Sequence, residues 1–357
     1  MLANSRIALI RLSSVGDVLH STPVARAIKK AVPSCHLTWI VGKVSAGVLV
    51  NNPYIDEIYV WSREHWESLL YKGQLKEAYA YWNQLRQDFR SRGIDIALDI
   101  HGLFLSGMVT LATGAKRRIG LSGAREFNSL FTTETAAPVP PAKKHKIDRY
   151  LSILEPLGIP DDGYAMTLVV PPAAKRQAQE FLRKQHVLPG KRLIAINPRT
   201  TWPAKNWPLE NFAAVAASLA QDGRLMLCGS PSDREAGETI IRQLKVPVID
   251  AIGRTSLPEL AALLSCCDVL FTGDTGPLHM ATAMGIPTVS LFGPTDPAVY
   301  GPLTSGHIVL RKPPACGPCN KHNCPTKTMD CILRLTPEEA VAAVREQLYH
   351  TKQLRLL

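Results

Sequence analysis

Residues 269–281 have the sequence VLFTGDTGPLHMA, and this stretch decides the fold class. Val269–Thr272 is a short apolar run typical of a fully buried strand. The small and polar residues that follow it open a helix predicted over residues 276–284. A buried strand that runs directly into a helix predicts one unit of an α/β fold with a parallel sheet.

The same alternation extends outward along the whole chain. In the second half the predicted strands are Leu193–Asn197, Arg224–Cys228, Val248–Ile249, Val269–Thr272 and Thr288–Phe292, and the helices are 208–221, 232–244, 258–266 and 276–284. In the first half the predicted strands are Ile7–Leu12, Leu37–Val41, Ile58–Val60 and Ile94–Ile100, the helices are Asp17–Val32 and Ile147–Leu157, and Trp61–Arg92 is a mostly helical covering segment. The series predicts two Rossmann-like domains that face each other across a cleft, lined by the carboxyl ends of their strands.

Proline-rich breaks set the predicted domain boundaries. Pro171-Pro172 and Leu188-Pro189-Gly190 place the linker between about residues 165 and 190. We therefore predict an amino-terminal domain over 1–170 and a carboxyl-terminal domain over 171–335. Thr336-Pro337-Glu338-Glu339 is a good helix start, so a final helix is predicted within 336–357, and it is expected to pack back toward the amino-terminal domain.

The composition excludes several classes of protein. Of the 357 residues, 46% are hydrophobic and 20% charged, which favours packed cores over disorder. No apolar run approaches the roughly 20 residues of a membrane span, and Arg11 interrupts the only apolar segment near the start. We therefore expect a cytoplasmic protein whose cysteines are not paired in disulfides.

The formal net charge of +11 is concentrated in one region. The basic residues between positions 116 and 149 are Lys116, Arg117, Arg118, Arg125, Lys143, Lys144, Lys146 and Arg149. A patch of this kind attracts phosphates or an anionic membrane face, although each residue alone fits a solvated surface equally well. Nucleic acid is not expected as a partner, because the chain contains no recognisable nucleic-acid module.

Arg11–His20 is the first stretch that could carry chemistry. A strand ends, a turn of small residues follows, and a helix begins near Asp17, which places a carboxylate at the carboxyl edge of the first sheet. Asp17 would serve equally well as a helix cap, so both interpretations remain open. Gly16 would allow close backbone approach. The stretch lacks the G-x-G-x-x-G fingerprint, which disfavours a dehydrogenase.

A second candidate site follows the strand Val269–Thr272. Backbone N–H groups at the start of the next helix suit a pyrophosphate, Thr275 adds a hydroxyl, and His279 lies one turn further on. Asp274 would repel phosphate, so it is expected to accept hydrogen bonds from sugar hydroxyls or from the helix start. The alternative is a capped helix with a satisfied histidine.

Three further loops could complete a nucleotide site. Asn197–Pro208 offers the hydroxyls of Thr200 and Thr201 and the positive charge of Lys205, or it is a structural loop with an exposed lysine. Glu235 could accept ribose hydroxyls, although a surface helix position is common for glutamate. Gly253–Leu257 could shape a base pocket or simply cap a helix. No Asp-x-Asp pair occurs, so Lys205, hydroxyls and helix N–H groups would have to stabilise a leaving diphosphate.

Four of the eight cysteines form a separate array near the carboxyl end. Cys316, Cys319, Cys324 and Cys331 have the spacing C-x₂-C-x₄-C-x₆-C, whose first pair is typical of metal ligands. A four-thiolate zinc site usually shows a second close pair, which is missing. We therefore favour structural or unpaired thiols over a zinc site.

Taken together, these motifs resemble glycosyltransferase family 9, which contains the bacterial lipopolysaccharide heptosyltransferases. The stretches that carry the resemblance are Ser13–His20, Lys205–Pro208, Asp274–Gly276 with His279, and Leu291–Thr295. They occur in family order over residues 6 to about 340. The resemblance implies a two-domain GT-B fold and an inverting transfer of heptose from ADP-heptose, with no cofactor required.

The resemblance also implies a role for each matching residue. Asp17 would be the general base, and the amino-terminal domain would take the acceptor, a lipid A–Kdo type glycolipid, at the inner face of the cytoplasmic membrane. The implied donor-binding residues are Thr200, Thr201, Lys205, Glu235, Thr255, Ser256, Leu257, Asp274, Thr275, Gly276 and His279. The acceptor-binding candidates are Ser13, Ser14, Gly16, Arg117 and Arg118.

Two other functions remain open at this stage. One is transfer of a different sugar from another nucleotide to a different surface glycan. The other is epimerisation of a nucleotide-sugar by a GT-B-like enzyme, which needs no acceptor and no basic patch. An Asp17→Ala variant separates catalysis from a nucleotide-binding module, because it should abolish transfer and leave ADP binding intact.

Overall fold

The computed structural model describes residues 2–140, 145–187 and 190–354. The chain divides into two compact units, Met1–Val169 and Val170–Leu357. The break falls inside the predicted linker region, of which Leu188 and Pro189 lie outside the described residues. Within that region Pro172–Lys184 forms a helix, with its first proline in the first turn.

The first unit is built on a six-stranded parallel sheet. Its strands are β1 Arg6–Ile10, β2 His36–Val41, β3 Glu57–Val60, β4 Ile96–Asp99, β5 Arg117–Gly120 and β6 Glu134–Thr135. They lie in the order β3-β2-β1-β4-β5-β6. The order reverses between β1 and β4, so their following connections leave in opposite directions and open a crevice at the carboxyl edge.

Five helices accompany this sheet. They are α1 Val15–Ala31, α2 Arg63–Tyr71, α3 Leu75–Arg92, α4 Phe104–Ala112 and α5 Lys146–Leu151. The helix predicted over Ile147–Leu157 is thus α5 followed by a 3₁₀ segment, Ser152–Leu157. Helix α5 packs against α1, which carries Asp17 in its first turn. This packing brings residues of α5 close to Asp17, although the two helices are far apart in the sequence.

The second unit repeats the design. Its strands are β7 Leu193–Asn197, β8 Arg224–Leu227, β9 Val248–Asp250, β10 Val269–Gly273, β11 Thr288–Phe292 and β12 His307–Arg311. They lie in the order β12-β11-β10-β7-β8-β9, and all pairs are parallel. Here the order reverses between β10 and β7, the two strands that precede the predicted donor loops.

The second unit contains eight α-helices among the described residues, and those predicted over 208–284 and after residue 336 lie close to their predicted positions. The eight helices are α6 Pro172–Lys184, α7 Leu209–Leu219, α8 Arg234–Gln243, α9 Leu257–Leu264, α10 Gly276–Ala283, α11 Pro297–Tyr300, α12 Asp330–Leu333 and α13 Pro337–Leu354. Helix α13 packs on α7 and on strands β10, β11 and β12, so it belongs to the second unit. The expected packing of residues 336–357 toward the amino-terminal domain stays a prediction.

Each sheet has its own apolar core. In the second unit Trp207 is fully buried and its ring meets Phe212 and Phe271 edge-on at centroid distances of 5.2 and 6.1 Å. Its indole N–H donates to the Leu335 carbonyl at 3.1 Å, which satisfies the one polar atom of the ring. Each such side chain contributes about 1.5–3 kcal/mol through burial. The motif Lys205–Pro208 is therefore anchored in the core through Trp207.

Three strands and three helices escaped prediction, namely β5, β6 and β12 and α4, α11 and α12. Strand β5 begins with two arginines, β6 has two residues, and every residue of the edge strand β12 is only half-buried. Such strands lack the apolar run that marks a central parallel strand. Across the described residues, no helix has the length and apolar character needed to cross a membrane.

Candidate active site

Asp17 lies at the point where the first sheet reverses its strand order. It occupies the first turn of α1, directly beyond the carboxyl end of β1. Ser14 precedes the helix in an extended conformation, and its side chain makes no capping bond to the helix backbone. The Ser14 hydroxyl instead donates to Asp17 Oδ2 at 3.2 Å. Asp17 is therefore positioned by the turn but is not used as the helix cap.

Two residues outside the helix hold the Asp17 carboxylate. Arg11 Nη2 lies 2.7 Å from Oδ2, and the Tyr150 hydroxyl donates to Oδ1 at 2.5 Å. Arg11 is itself fixed by Nη1, which donates to the Ile100 carbonyl at 3.0 Å. Tyr150 lies in α5, and the packing of α5 on α1 brings its hydroxyl to Asp17. About a quarter of the Asp17 side chain stays exposed, so a substrate can still reach it.

The surroundings keep Asp17 ionised. Burial disfavours the charged form, but Arg11, Lys146 and the Tyr150 hydroxyl outweigh burial and hold the pKa of Asp17 well below its usual range. Burial, followed by the Asp17 charge, raises the pKa of Tyr150 well above 10, so its phenol remains a donor. The carboxylate is thus available as a proton acceptor across the physiological pH range.

The loop after β4 forms the other side of this crevice. Burial and the neighbouring Arg11 lower the pKa of His101 to about 3, so the ring is neutral at pH 7. Its Nδ1 accepts from the Leu12 N–H at 3.3 Å. Buried Asp99 accepts from the N–H groups of His101 and Gly102 at 2.9 and 3.0 Å. These bonds fix the loop next to Asp17.

In the second unit a buried ion pair lies between the loops that follow β7 and β10. Lys205 Nζ is 2.6 Å from Asp274 Oδ2, which also accepts from the Thr295 hydroxyl at 2.7 Å. His279 Nε2 is 3.5 Å from Asp274 Oδ1. Burial opposes ionisation of Asp274, but His279 and Lys205 outweigh it and lower its pKa well below the usual range.

This arrangement gives Asp274 partners within the protein, and its predicted contact with a sugar stays a prediction. Its carboxylate is occupied by Lys205, Thr295 and His279 rather than by the helix start, and only 5% of the residue is exposed. Asp274 thus positions Lys205 and His279. Thr275 precedes α10 without a side-chain capping bond, and the backbone N–H groups of the first turn begin at Gly276.

The loop after β7 is tightly built around Lys205. The Thr200 hydroxyl donates to the Trp202 carbonyl at 3.0 Å, and the Thr200 N–H donates to Asn206 Oδ1 at 2.8 Å. Lys205 Nζ lies 4.4 Å from the centre of the Trp202 ring. A Cβ atom added at Gly273 would stand 2.8 Å from Thr200 Cγ2, so glycine allows the two loops to touch. Thr201 is exposed.

The remaining predicted donor residues lie at the same carboxyl edge, further along the sheet. Glu235 is exposed in the first turn of α8. Ser256 caps α9 and exchanges hydrogen bonds with Glu259, so the capped-helix alternative is what the structure shows for this residue. Thr255 and Leu257, on either side of it, are half-buried. Their contact with a nucleotide stays a prediction.

The acceptor predictions separate into two groups. Ser13, Ser14 and Gly16 lie beside Asp17, as expected from the motif. Arg117 lies in β5 opposite Ile96, which in turn pairs with Ile7, so it is at the amino edge of the sheet and not at the edge of Asp17.

Both arginines of β5 are held by partners within the protein. Arg117 binds Glu134 at 2.8 Å, and Arg118 donates to the Phe131 and Ala115 carbonyls at 2.7 and 2.8 Å. This location gives the predicted acceptor role of Arg117 and Arg118 no support and indicates a structural role instead. Lys143 and Lys144 of the basic patch lie outside the described residues.

Sequence reasoning missed several residues that complete these sites. Tyr150 has no local motif, and only the packing of α5 reveals it. Arg11 lies in the stretch Arg11–His20 and Thr295 in Leu291–Thr295, but the sequence alone assigned neither residue a role. Lys146 was predicted only as a member of the basic patch. Arg11 carried a usable signal, because a charged residue directly after a buried strand lies at the functional edge of a parallel sheet.

Two doubly wound parallel sheets, each with a charged cluster at its reversal point, are the architecture of the GT-B fold class. The sequence model of glycosyltransferase family 9 (heptosyltransferase) matches residues 82–330, which is more than half of the chain. The chain therefore belongs to glycosyltransferase family 9 and is a glycosyltransferase.

Individual relatives agree with this assignment. The lipopolysaccharide core heptosyltransferase OpsX of Haemophilus influenzae is 27% identical, over 85% of this chain and 83% of its own length. The crystal structure of a family 9 glycosyl transferase from Veillonella parvula is 26% identical with a TM-score of 0.82, and each chain is covered to 98%. E. coli heptosyltransferase WaaC with ADP-2-deoxy-2-fluoro heptose has the same fold, at 21% identity with a TM-score of 0.73, over 96% of this chain and 99% of that one.

Proposed function

We propose that this enzyme transfers heptose from ADP-L-glycero-D-manno-heptose to the inner core of a lipopolysaccharide acceptor, with inversion at the anomeric carbon. The observation that carries the proposal is the ionised carboxylate of Asp17, held by Arg11 and Tyr150 at the carboxyl edge of the first sheet. The family relatives that act on lipopolysaccharide core support the acceptor class. The WaaC complex with an ADP-heptose analogue supports the donor.

In the proposed reaction Asp17 acts as the general base. An acceptor hydroxyl attacks the anomeric carbon of the heptose, its proton passes to Asp17, and ADP leaves with the electrons of the broken bond. The contacts that keep Asp17 ionised also make it a weak base, so proton transfer must be coupled to bond formation, when the hydroxyl becomes acidic. Such catalysis typically contributes about 10²–10⁴-fold.

The second unit supplies the groups that a leaving diphosphate needs. Lys205 offers a positive charge, and the start of α10 offers backbone N–H groups with the positive end of the helix dipole. Asp274 holds Lys205 in place at 2.6 Å, so the ammonium is positioned before the donor arrives. Groups arranged in advance stabilise developing charge without the cost of reorganisation. Donor and acceptor are the only reactants in this scheme.

The proposed acceptor is an anionic glycolipid, which places the enzyme at the cytoplasmic face of the inner membrane. The net charge of +11 favours contact with such a surface. Besides Arg11, Lys146 acts electrostatically on Asp17, and Arg125 and Arg149 act in turn on Lys146. They form a positively charged rim suited to the acceptor's phosphate or carboxylate groups.

A panel of substrates tests the proposal. The purified enzyme is incubated with ADP-heptose, ADP-glucose, UDP-N-acetylglucosamine and GDP-mannose, each with lipopolysaccharide acceptors truncated before the first heptose, after it, and further out. Transfer from ADP-heptose to one of these acceptors is the expected result. Transfer only from another nucleotide-sugar would identify the related transferase. Isomerisation of a nucleotide-sugar without any acceptor would identify the epimerase, and either result contradicts the proposal.

A further inference from the structure

A cavity of about 200 Å³ opens in the first unit beside the loop that follows β4. Its wall is formed by the first residues of α2, by the loop after β4 with the start of α4, and by Leu12 and Glu126. A water molecule occupies about 30 Å³ in the liquid, so the cavity has room for about six or seven waters, which is close to the size of one sugar ring. Of the lining residues that the structure describes, none is among the acceptor candidates named from the sequence.

The cavity is connected to Asp17 through two side chains. His101 lies in the wall, and its Nδ1 accepts from the Leu12 N–H at 3.3 Å. Arg11, which binds Asp17 at 2.7 Å, donates to the carbonyl of Ile100, the residue before His101, at 3.0 Å. A ligand bound in the cavity therefore lies next to the proposed base.

Two aromatic side chains give the cavity flat apolar faces. Trp66 of α2 is half-buried, and its ring packs against Trp61 and Trp82 at centroid distances of 6.2 and 5.9 Å, which fixes its position. Phe104 at the start of α4 is 45% exposed, and its ring meets Phe131 edge-on at 5.2 Å. The C–H groups on the face of a sugar ring pack on aromatic faces of this kind, and this contact needs no charge on the ligand.

The polar groups of the wall suit hydroxyls rather than an anion. Arg63 is the one cation among the lining residues that the structure describes, and its Nε lies 2.7 Å from Glu67 Oε1. Glu126 Oε2 accepts from the Phe104 N–H at 3.3 Å, which leaves its other oxygen for a ligand. His101 is neutral at pH 7 because its pKa is lowered to about 3, and with Nδ1 accepting, its proton lies on Nε2 as a donor.

The wall therefore carries an excess of negative charge. One arginine stands against two glutamates, Glu67 and Glu126, and the histidine adds no charge. A carboxylate or phosphate placed here would be repelled, whereas an uncharged ring would not. The basic residues Lys146, Arg125 and Arg149 do not line the cavity, so the acidic groups of a glycolipid have a separate place outside it.

We propose that this cavity binds an uncharged pyranose of the acceptor, so that the acceptor is a core that already carries a neutral sugar such as heptose. Trp66 and Phe104 hold the faces of the ring, and Glu67 and Glu126 accept hydrogen bonds from its hydroxyls. The reaction that supplies this acceptor must itself transfer a neutral sugar to the acidic inner core. The inference rests on the proposed function and narrows the acceptor within it.

A comparison of two acceptors tests this inference with the wild-type enzyme and ADP-heptose. One acceptor ends in acidic Kdo sugars, and the other carries one heptose on the same core. We expect kcat/KM to be at least about tenfold higher for the heptose-bearing acceptor. This measurement needs no variant, so it does not depend on how a variant folds.

Two phenylalanine variants test the aromatic face. Phe104→Ala should raise KM for the heptose-bearing acceptor about tenfold and leave kcat within about threefold, because a contact made equally in the ground and transition states is lost. The matched control is Phe127→Ala, which removes an exposed phenylalanine outside the cavity wall. It should change KM by less than about twofold.

A charge reversal tests the selection against acidic sugars. Glu67→Lys makes the wall positive and should reduce the preference for the heptose-bearing acceptor by at least about fivefold in kcat/KM. Glu64→Lys makes the same change in total charge on the same helix, at an exposed position outside the wall, and should leave the preference within about twofold.

Equal or better use of the acidic acceptor by wild type overturns the inference and leaves heptose transfer intact. So does an equal KM in the two phenylalanine variants, or an equal preference in the two lysine variants. If ADP-heptose serves neither acceptor, the proposed function fails, and the cavity is then tested by saturation-transfer NMR. Methyl heptoside should give a signal that Phe104→Ala removes, and the methyl glycoside of Kdo should give none. The reverse preference, or no binding of either glycoside, refutes the subsite.

Discussion

Replacing Asp17 with asparagine tests the assignment of the general base. Asparagine keeps the size of the side chain but removes its charge and its ability to take a proton. If Asp17 is the base, kcat for heptose transfer should fall by about 10²–10⁴-fold. That loss corresponds to a barrier increase of about 3–5 kcal/mol.

The structure also predicts what the substitution does to stability. An amide nitrogen in place of Oδ2 would face Arg11 Nη2, which now lies 2.7 Å from that oxygen. Removing one partner of a fully buried ion pair costs about 3–5 kcal/mol. Because about a quarter of the Asp17 side chain is exposed, solvent screening reduces this, and we expect a loss of about 1–3 kcal/mol. The variant should therefore remain folded.

The assay measures ADP release with ADP-heptose and the truncated acceptor, alongside ADP binding by calorimetry and unfolding by circular dichroism. ADP affinity should be unchanged, because the proposed donor groups all belong to the second unit. The matched control is Asp95→Asn, an exposed aspartate at the amino edge of the same sheet that accepts the Arg6 N–H at 2.8 Å. A folded Asp17→Asn enzyme with kcat within about threefold of wild type would falsify the assignment.

Three further predictions follow from the other contacts. Tyr150→Phe removes the hydroxyl that lowers the pKa of Asp17, and a hydrogen bond to a charged group is worth about 1.5–3 kcal/mol. The acid limb of the pH–rate profile should therefore move about 1–2 pH units toward higher pH. An acid limb that does not move would contradict the described hydrogen bond. Lys205→Ala should weaken ADP binding by about 10–100-fold in calorimetry. The exposed control Lys321→Ala should change ADP affinity by less than about twofold. Equal losses of ADP affinity in the two variants would remove Lys205 from the donor site. Arg117→Ala should lower the free energy of unfolding by at most about 1 kcal/mol, because the Arg117–Glu134 pair is partly exposed, and it should leave the acceptor KM unchanged. A tenfold higher KM would restore the acceptor role that the structure does not support.

Acid stability provides a check on the sign of these electrostatic effects. In the folded state the pKa values of Asp17 and Asp274 are depressed. The stability that these two carboxylates contribute is therefore fully present above the pKa of an unfolded aspartate, about 3.9, and it is lost as the pH falls toward their folded-state pKa values. The stability difference between wild type and the Asp17→Asn variant should therefore narrow below about pH 4.

The sequence by itself determined the fold class and the strand-end residues of each site. Val269–Thr272 and Leu193–Asn197 are short, mostly apolar runs of the kind that buried parallel strands have, and the structure confirms both strands. Asp17, Lys205 and Asp274 were found because polar residues directly after such strands share one edge of a sheet. Periodicity and strand-end position are local properties, so they can be read without the tertiary structure.

Only the tertiary structure decided which groups face these residues. The Tyr150 hydroxyl reaches Asp17 across 133 residues of sequence, because α5 packs on α1. Arg117 and Arg118 looked like acceptor ligands by charge, but the strand register places Arg117 at the opposite edge of the sheet, and both side chains bind partners within the protein. Asp274 was expected to accept hydrogen bonds from a sugar or from the helix start, and only the structure shows that its carboxylate contacts Lys205 and His279. Strand register and helix packing arise from the sum of many long-range contacts, which no local stretch of sequence specifies.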